Sequence, residues 1–242
     1  IGGGDKMPKM RLDKLLSHLN CGSRKEVQSF IRAGRVAVNG TAERDPAAKV
    51  DPDADRVSLD GREQTYRAQR YYMLNKPMGV ITASRDERHD TVLELFPAEL
   101  RRGLFAVGRL DKDSQGLLLL TNDGDLSNAI QKSVNNHEKE YRVRVNREIT
   151  EDFIRKMSDG VPILDTVTKK CKVRKIDDRS FMIVLTQGLN RQIRRMCDAL
   201  GYRVVNLKRV RVCNVKLGNM RPGELRELSR EEEAELRRIV GM

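Results

Sequence analysis

The sequence predicts an α+β protein in which a small helical N-terminal domain precedes a larger domain built on a mixed or antiparallel sheet. Leucines between residues 12 and 19 recur at helical spacing. From Tyr71 onward, short strand-like and helix-like segments alternate without a strict β–α–β rhythm, which disfavours an all-parallel sheet. A polar stretch at residues 62–70 separates these patterns, so we expect domains at residues 8–66 and 70–242.

The N-terminal pattern predicts two helices followed by a strand. Leu12, Leu15, Leu16 and Leu19 form the apolar face of the first helix, and Ser23 with Glu26 is a capping-box signature for the second. Gly34 is placed to end that helix. Val36 and Val38 then alternate as in a strand, and Asn39-Gly40 predicts a tight turn. Taken alone, this charged segment could equally be a solvated helical hairpin.

The second domain carries the longer list of predicted elements. Its predicted strands are residues 71–74, 80–83, 117–121, 140–145, 171–175, 181–186 and, in two pieces, 203–217. Its predicted helices are residues 91–96, 125–133, 150–158, 190–200 and 230–240.

The charge balance indicates a polyanionic partner. Of 242 residues, 34% are charged, and the formal net charge is +12. Basic excess of this size favours nucleic acid, because neutralised phosphates release condensed counterions. An anionic membrane surface fits less well, since aromatic residues make up only 4% and no apolar run reaches 18 residues.

The cysteines and histidines give no metal or disulfide pattern. The four cysteines are scattered without a Cys-x-x-Cys pair, and the three histidines share no ligand spacing with them. Walker-type and Gly-x-Gly-x-x-Gly loops are absent from the sequence. We therefore expect a reaction without a cofactor. No signal peptide pattern is visible, so we expect a cytoplasmic protein.

Asp111 is the first candidate for chemistry. It lies between Gly108 and Gly116, just before the apolar run of residues 117–120. A carboxylate at the edge of a core is costly unless it is paired or used. It could be an ordinary turn acid paired with Arg109, or an ionised nucleophile or base.

Tyr141 is the second candidate, because it lies in a strictly alternating segment, residues 139–145. Such a tyrosine could simply belong to the core of a half-buried strand. An enzyme that acts on a base inside RNA, however, must unstack that base and hold it against a flat surface.

The third candidate is the basic segment that follows. Asn190 and Gly201 are suitable ends for a helix on which Arg194 borders the apolar face. That position favours a contact with a half-buried carboxylate, whereas Arg191 and Arg195 are better placed for phosphates. Residues 191–211 hold seven basic groups and one acid, a concentration that diffuse surface charge does not explain.

Four motifs in order resemble those of the RsuA-type pseudouridine synthases, which join an S4 RNA-binding domain to a catalytic domain. They are Asn75-Lys-Pro-x-Gly79, Gly108-Arg-Leu-Asp111 with Gly116-Leu117, Lys139-Glu-Tyr141, and the stretch from Gly188 to Met196. The likeness extends from Met10 to about Leu228. Within the family, residues 136–141 and 161–171 look most similar to the large-subunit pseudouridine synthase F subgroup, which is associated with 23S ribosomal RNA.

The resemblance implies a reaction and a set of roles. Uridine in RNA would be isomerised by cleavage of N1–C1′, rotation of the uracil and formation of C5–C1′. Asp111 would attack C1′ or remove the C2′ proton, Tyr141 would stack on the flipped base, and Arg194 would pair with Asp111. The implied substrate-binding residues are Arg109, Lys139, Leu185, Asn190, Arg191 and Arg195. The S4 residues expected to contact RNA are Arg11, Lys14, Arg24, Lys25, Arg32 and Arg35.

The resemblance also implies a mixed, largely antiparallel catalytic sheet flanked by helices. We expect RNA as the partner, with 23S ribosomal RNA as the main substrate and a transfer-RNA uridine as an additional one, and we expect a monomer. The main alternative is a non-catalytic RNA-binding or assembly factor that uses the S4 unit and the basic helix. An RNA glycosidase or methyltransferase fits less well, because paired carboxylates and a nucleotide-cofactor loop are missing from the sequence.

Overall fold

The computed structural model describes residues 8–19, 21–64, 69–83, 88–101, 103–132 and 136–242. The chain forms two compact units, Ile1–Arg70 with Asn122–Gly124, and Tyr71–Thr121 with Asp125–Met242. Residues 65–68, within the polar stretch predicted to separate the domains, lie outside the described residues.

The first unit contains the predicted helix–turn–helix–strand arrangement. Helix α1 spans Leu12–His18, and α2 spans Arg24–Arg32 with the predicted capping box between Ser23 and Glu26. The strands are β1 (Met10–Arg11), β2 (Val36–Val38), β3 (Thr41–Ala42), β4 (Lys49–Val50), β5 (Val57–Leu59) and β6 (Arg62–Gln64). Asn39 and Gly40 both have positive φ, as a two-residue hairpin between β2 and β3 requires. The apolar face of α1 packs with α2 and the strands in one core.

The rest of the chain is built around one large sheet. Its strands and the neighbouring short hairpin are β7 (Tyr71–Lys76), β8 (Phe105–Val107), β9 (Gln115–Thr121), β10 (Lys139–Val145), β11 (Pro162–Ile163), β12 (Thr166–Val167), β13 (Lys172–Asp177), β14 (Ser180–Leu185), β15 (Val204–Val212), β16 (Val215–Lys216) and β17 (Leu225–Glu227). The helices are α3 (Ala98–Arg101), α4 (Gly124–Gln131), α5 (Glu151–Asp159), α6 (Gln192–Ala199) and α7 (Arg230–Ile239), with a 3₁₀ turn at Val92–Leu95.

The sheet is mixed and largely antiparallel, so the predicted α+β class is confirmed. Its order is β13-β14-β10-β15-β9-β7-β17, with β16 on β15 and β8 on β9. Within the described residues, β9 and β15 are the one parallel pair of this sheet.

Strand β9 is buried on both faces, as its four-leucine run predicts. Leu117 and Leu119 join the core cluster that includes residues of α4 and α7. Leu118 and Leu120 join a second cluster on the other face, with Phe96 of the 3₁₀ region. Because both faces of β9 are covered, a polar side chain on either face would be buried away from solvent. This explains why the strand is a continuous apolar run without alternation.

Strand β10 shows the alternation that residues 139–145 predict. Val143 and Val145 are fully buried against a third cluster that includes residues of α5 and α6, whereas Arg142 and Arg144 are exposed. Tyr141 packs at the edge of the same cluster. The predicted tyrosine therefore lies on the core-facing side of the sheet.

Several predicted bounds are wrong. Residues 80–83 form no strand, only a single bridge between Ile81 and Thr91, and residues 91–96 form a 3₁₀ turn instead of an α-helix. The short strands β8 and β17 were not predicted, because three-residue segments carry too little periodicity to be recognised.

Candidate active site

Asp111 lies in a tight turn between β8 and β9. The Ser114 amide donates to the Asp111 carbonyl at 3.0 Å, and the Gly79 amide donates to the Lys112 carbonyl at 2.8 Å. The Leu110 amide donates to Thr82 Oγ1 at 3.1 Å, and that hydroxyl also lies 2.8 Å from the Leu110 carbonyl oxygen. Hydrogen bonds thus hold the turn on both sides of Asp111 and fix its backbone position.

The Asp111 carboxylate is accessible and weakly paired. Its side chain is 43% exposed, and Arg191 Nη1 lies 3.4 Å from its Oδ2. No group in the described ranges donates a hydrogen bond to it. An ionised carboxylate without hydrogen-bond donors keeps its lone pairs available, as a nucleophile or base requires.

Asp113, two residues later, is strongly paired. Arg191 donates to both of its oxygens, at 2.9 Å and 2.8 Å. Those hydrogen bonds, with the nearby positive charge of Arg194, hold the pKa of the Asp113 carboxyl below its usual range. Asp113 was not predicted as a site residue, although it lies in the same motif as Asp111.

The prediction that Arg194 pairs with Asp111 is wrong. The Arg194 side chain is 13% exposed, its Nη2 donates to the Asp113 carbonyl at 2.8 Å, and its Nε lies 3.5 Å from Asp113 Oδ2. The border position on the helix is as predicted, but the carboxylate it reaches is the second one in the motif. Arg191, predicted for phosphate contact, is the arginine that approaches Asp111.

The start of α6 explains why Arg191, and not Arg194, approaches Asp111. The helix begins at Gln192, and Arg191 is the N-cap residue with φ 48° and ψ 38°, a left-handed conformation. For a residue other than glycine this conformation costs about 1–3 kcal/mol and is concentrated at functional sites. The predicted cap, Asn190, instead accepts hydrogen bonds from Arg195 at its carbonyl and side-chain oxygens, both at 3.0 Å. Arg195 is therefore held against Asn190.

A buried lysine, Lys76, donates hydrogen bonds to the backbone at the end of this turn. Lys76 Nζ donates to the Ser114 carbonyl at 2.7 Å and to the Pro77 carbonyl at 2.9 Å, and the side chain has no exposed surface. Burial lowers the pKa of Lys76 to about 8, although the charges of Asp113 and Asp111 act in the opposite direction. Lys76 belongs to the first motif, but its support of this turn was not predicted.

The predicted residues meet in one cleft of about 530 Å³, which lies within the range of ligand-binding pockets. The cleft is lined by seven of the nine predicted catalytic and substrate-binding residues: Arg109, Asp111, Lys139, Tyr141, Leu185, Asn190 and Arg191. Arg194 and Arg195 do not line it. Buried Arg209, which the sequence analysis treated only as part of a basic segment, does.

Tyr141 and Leu185 offer an apolar surface inside this cleft. They belong to adjacent strands, since Lys139 pairs with Leu185 and Tyr141 pairs with Ile183. Leu185 is buried, and the half-buried Tyr141 ring lines the cleft. The arrangement can hold a planar base beside the Asp111 carboxylate.

In the first unit, three of the six predicted RNA contacts have internal carboxylate partners. Arg11 donates to both oxygens of Asp13, and Arg24 lies 3.5 Å from Asp13 Oδ2. Arg35 donates to both oxygens of Asp60. The hydrogen bond from Arg11 holds the pKa of the buried Asp13 far below its usual range. These carboxylate partners were not predicted from the sequence.

The other three cations differ among themselves. Lys25 and Arg32 lie exposed on α2, and neither side chain bonds to any described residue. Lys14 is partly buried and has a partner.

No group of three or more His, Cys, Asp or Glu side chains in the described part of the chain is arranged to hold a metal ion. The helices of that part are too short or too polar to cross a membrane.

Comparison with known proteins relates both parts of the chain to known families. Residues 70–199 match the RNA pseudouridylate synthase family, and residues 10–55 match the S4 domain. The Escherichia coli K12 dual-specificity RNA pseudouridine synthase RluF is 44% identical over 96% of this chain and 79% of its own length. An RNA pseudouridine synthase of Bacillus subtilis, YtzG, is 40% identical over 92% of this chain and 96% of its own.

A crystal structure of a pseudouridylate synthase superposes with a TM-score of 0.69 at 29% identity, covering 94% of this chain and 99% of the other. The chain carries an S4 domain and a catalytic domain, and it belongs to the RNA pseudouridine synthases, which are isomerases.

Proposed function

We propose that this enzyme isomerises a specific uridine of 23S ribosomal RNA and, as an additional substrate, a uridine of a transfer RNA, with Asp111 as the catalytic group and no cofactor. The Escherichia coli relative is a dual-specificity enzyme, which supports more than one substrate for this chain. We assign RNA binding to residues 8–66 and catalysis to residues 70–242, in a monomer that works in the cytoplasm.

One observation carries the assignment of Asp111. It lines the cleft with an accessible carboxylate that no described residue holds by a hydrogen bond, whereas the adjacent Asp113 is held by two. A group that must form or accept a bond to carbon or hydrogen needs a free lone pair. We therefore assign Asp111 as the reacting group and Asp113 as the carboxylate that holds Arg191.

The surrounding residues take roles from their contacts. Tyr141 stacks on the flipped uracil, and Leu185 packs beside it. Arg191 lies beside the Asp111 carboxylate, and exposed Arg109 contacts the phosphate backbone at the rim. Arg194 is a positioning residue, because it acts on Asp111 only through Asp113 and the turn.

The test compares wild type with Asp111→Asn on 23S ribosomal RNA and on bulk transfer RNA. Pseudouridine is mapped by carbodiimide-dependent reverse-transcription stops, and RNA binding is measured in parallel. Asp178→Asn is the matched control, since Asp178 is an exposed acid whose described ion pair is with Lys175, at 3.8 Å. We expect wild type and the control to produce the same new stops, and Asp111→Asn to bind RNA without producing any.

Other outcomes contradict separate parts of the proposal. Stops from Asp111→Asn would show that another group does the chemistry. Stops in only one RNA class would remove the second substrate, and wild-type binding without stops in either class would remove both.

A further inference from the structure

Arg209 is a buried cation that opens onto the cleft. Its side chain lies in strand β15, the residue is 4% exposed, and its Nε donates to the Leu117 carbonyl at 2.8 Å. No described residue accepts a hydrogen bond from its two terminal nitrogens. The fully buried side-chain nitrogens that lack a partner in the described chain do not include these two, so both retain some exposed surface. Arg209 lines the cleft. The anchored guanidinium therefore presents free donors to the cleft.

Lys139 adds a second cation at the same place. It is partly buried, lines the cleft, and has no hydrogen-bond acceptor among the residues that the structure describes. Burial, together with the positive charge of Arg209, lowers the pKa of Lys139. No described carboxylate forms an ion pair with either side chain. Two partly desolvated like charges without an acid destabilise the free protein, which indicates that an anion completes the site.

Strand register places both cations next to the proposed base-stacking ring. Tyr141 and Arg209 are directly paired across β10 and β15, so their side chains share one face of the sheet. Lys139 precedes Tyr141 by two residues and lies on that same face. A uracil stacked on Tyr141 would therefore meet the two cations along its edge.

Burial separates Arg209 from the exposed arginines of the cleft. Arg109 and Arg191 are exposed and form the rim of the cleft, whereas Arg209 lies among buried residues such as Leu207 and Val212. The phosphate backbone enters and leaves along the rim, because it continues in both directions. Only the flipped base reaches the floor.

We propose that Lys139 and Arg209 form an anion site that stabilises the uracil ring once its bond to ribose has broken. This rests on the proposed function of the cleft. When N1–C1′ breaks, its electron pair leaves with N1, so the uracil becomes an anion with charge spread over N1, O2 and O4. This holds whether Asp111 forms an ester to C1′ or removes the C2′ proton, whose C–H pair becomes the C1′=C2′ bond. C5 then bonds to C1′, either as the C1′–O bond of the Asp111 ester breaks or as Asp111 returns its proton to C2′ and the C1′=C2′ double bond is lost. The new C5–C1′ bond uses the electron pair of the ring anion, and transfer of the C5 proton to N1 completes the product.

The test uses Lys139→Met, with Lys208→Met as the matched control. Lys208 is the neighbour of Arg209 in β15 and pairs with Arg142 on the opposite face of the sheet. Single-turnover rates are measured on RNA containing uridine or 5-fluorouridine at the target, by nucleoside analysis. We expect Lys139→Met to lower the uridine rate about 100-fold, as for removal of one oxyanion donor. The loss with 5-fluorouridine should be markedly smaller, because fluorine already stabilises the departing ring.

Arg209→Lys and thermal unfolding separate chemistry from folding. Lys139→Met should unfold no earlier than wild type, since it relieves like-charge repulsion. Arg209→Lys keeps the charge but loses the bond to Leu117, so it should retain more activity than Arg209→Met.

Three results would overturn the anion site. A raised KM with unchanged kcat would indicate a phosphate contact, equal losses on both substrates would remove the role in ring departure, and the same loss in Lys208→Met would indicate a general charge effect. Asp111→Asn is measured on the same RNAs. If it is active while Lys139→Met shows the substrate-dependent loss, the assignment of Asp111 fails and the anion site stands.

Discussion

Arg191 donates two hydrogen bonds to Asp113, and Arg194 contacts the same carboxylate, while Asp111 receives only an ion-pair contact of 3.4 Å. Asp113 thus accepts both hydrogen bonds of Arg191, the arginine that also lies near Asp111. A carboxylate that accepts several charge-assisted hydrogen bonds is a poorer nucleophile and base, because its charged form is stabilised before reaction. We therefore expect the free state of Asp111 to depend on Asp113.

Asp113→Asn tests this dependence. Arg191 is expected to turn towards Asp111 and donate to it, which stabilises the ground state by about 1.5 kcal/mol and lowers the rate about tenfold. The measurement is the single-turnover rate at saturating enzyme, with Asp178→Asn as the charge-matched control. A rate equal to that of wild type would mean that Asp113 does not hold Arg191 away from Asp111.

Lys76 should make the free energy of unfolding depend on pH. Its pKa in the folded protein is about 8, against 10.5 for the free side chain, so the unfolded chain binds more protons between these values. The cost of burying the charge is fully present below pH 8 and disappears as pH rises towards 10.5. A neutral amine still has enough protons to donate to Ser114 and Pro77. We expect the unfolding free energy of wild type, relative to Lys76→Met, to rise by up to about 3 kcal/mol across this window.

Chemical denaturation at pH 7.5 and pH 10 checks that expectation. A difference between wild type and Lys76→Met that stays constant would show that the lysine has an ordinary pKa. A difference that shrinks would give the opposite sign and show that the folded state favours the charged amine.

At the scale of elements, strong periodicity was the reliable signal. Three local patterns predicted their elements correctly, because each depends only on residues close together in the sequence. They are the leucine run of β9, the alternation in β10 and the capping box of α2. The beginning of α6 was predicted incorrectly, because Asn190 is a good cap in isolation but Arg195 occupies its oxygens. Likewise, which carboxylate Arg194 reaches depends on the packing of α6 against a turn some 80 residues earlier, and no local pattern encodes it.

Gly116 is the residue on which the parallel pairing of β9 and β15 depends. Its φ is 110°, and a Cβ there would lie 2.2 Å from the Arg209 carbonyl oxygen. Backbone cannot move aside as a flexible side chain can, so Gly116→Ala should separate the strands beneath the cleft. We expect a loss of about 3 kcal/mol or more in unfolding free energy.

Gly108→Ala is the matched control for Gly116→Ala. Gly108 also has positive φ, 72°, but a Cβ there meets nothing within 4 Å. It should cost only the conformational strain, about 1 kcal/mol. Equal losses in urea titrations of the two variants would show that the close approach of β9 and β15 contributes nothing.

At the scale of the whole molecule, the net charge of +12 does not indicate which cations bind RNA. In the first unit, Arg11, Arg24 and Arg35 neutralise Asp13 and Asp60, so part of the basic excess serves the fold. The side chains of Lys25 and Arg32 are exposed on α2, bond to no described residue and are available to a ligand. Pairing, which the sequence does not show, thus separates structural cations from available ones.

The double variant Lys25→Gln with Arg32→Gln tests this division in the 242-residue chain. If both side chains contact phosphates, the slope of log binding constant against log salt should become shallower by about 1.4–1.8. KM should rise while kcat stays unchanged, because the reacting base is bound elsewhere. The comparison variant is Arg11→Gln with Arg35→Gln, which should lower thermal stability and change the salt slope less, since these arginines already have carboxylate partners. An equal change of slope in the two variants would mean that the internal partners are given up on binding, and that all of these cations act on the RNA.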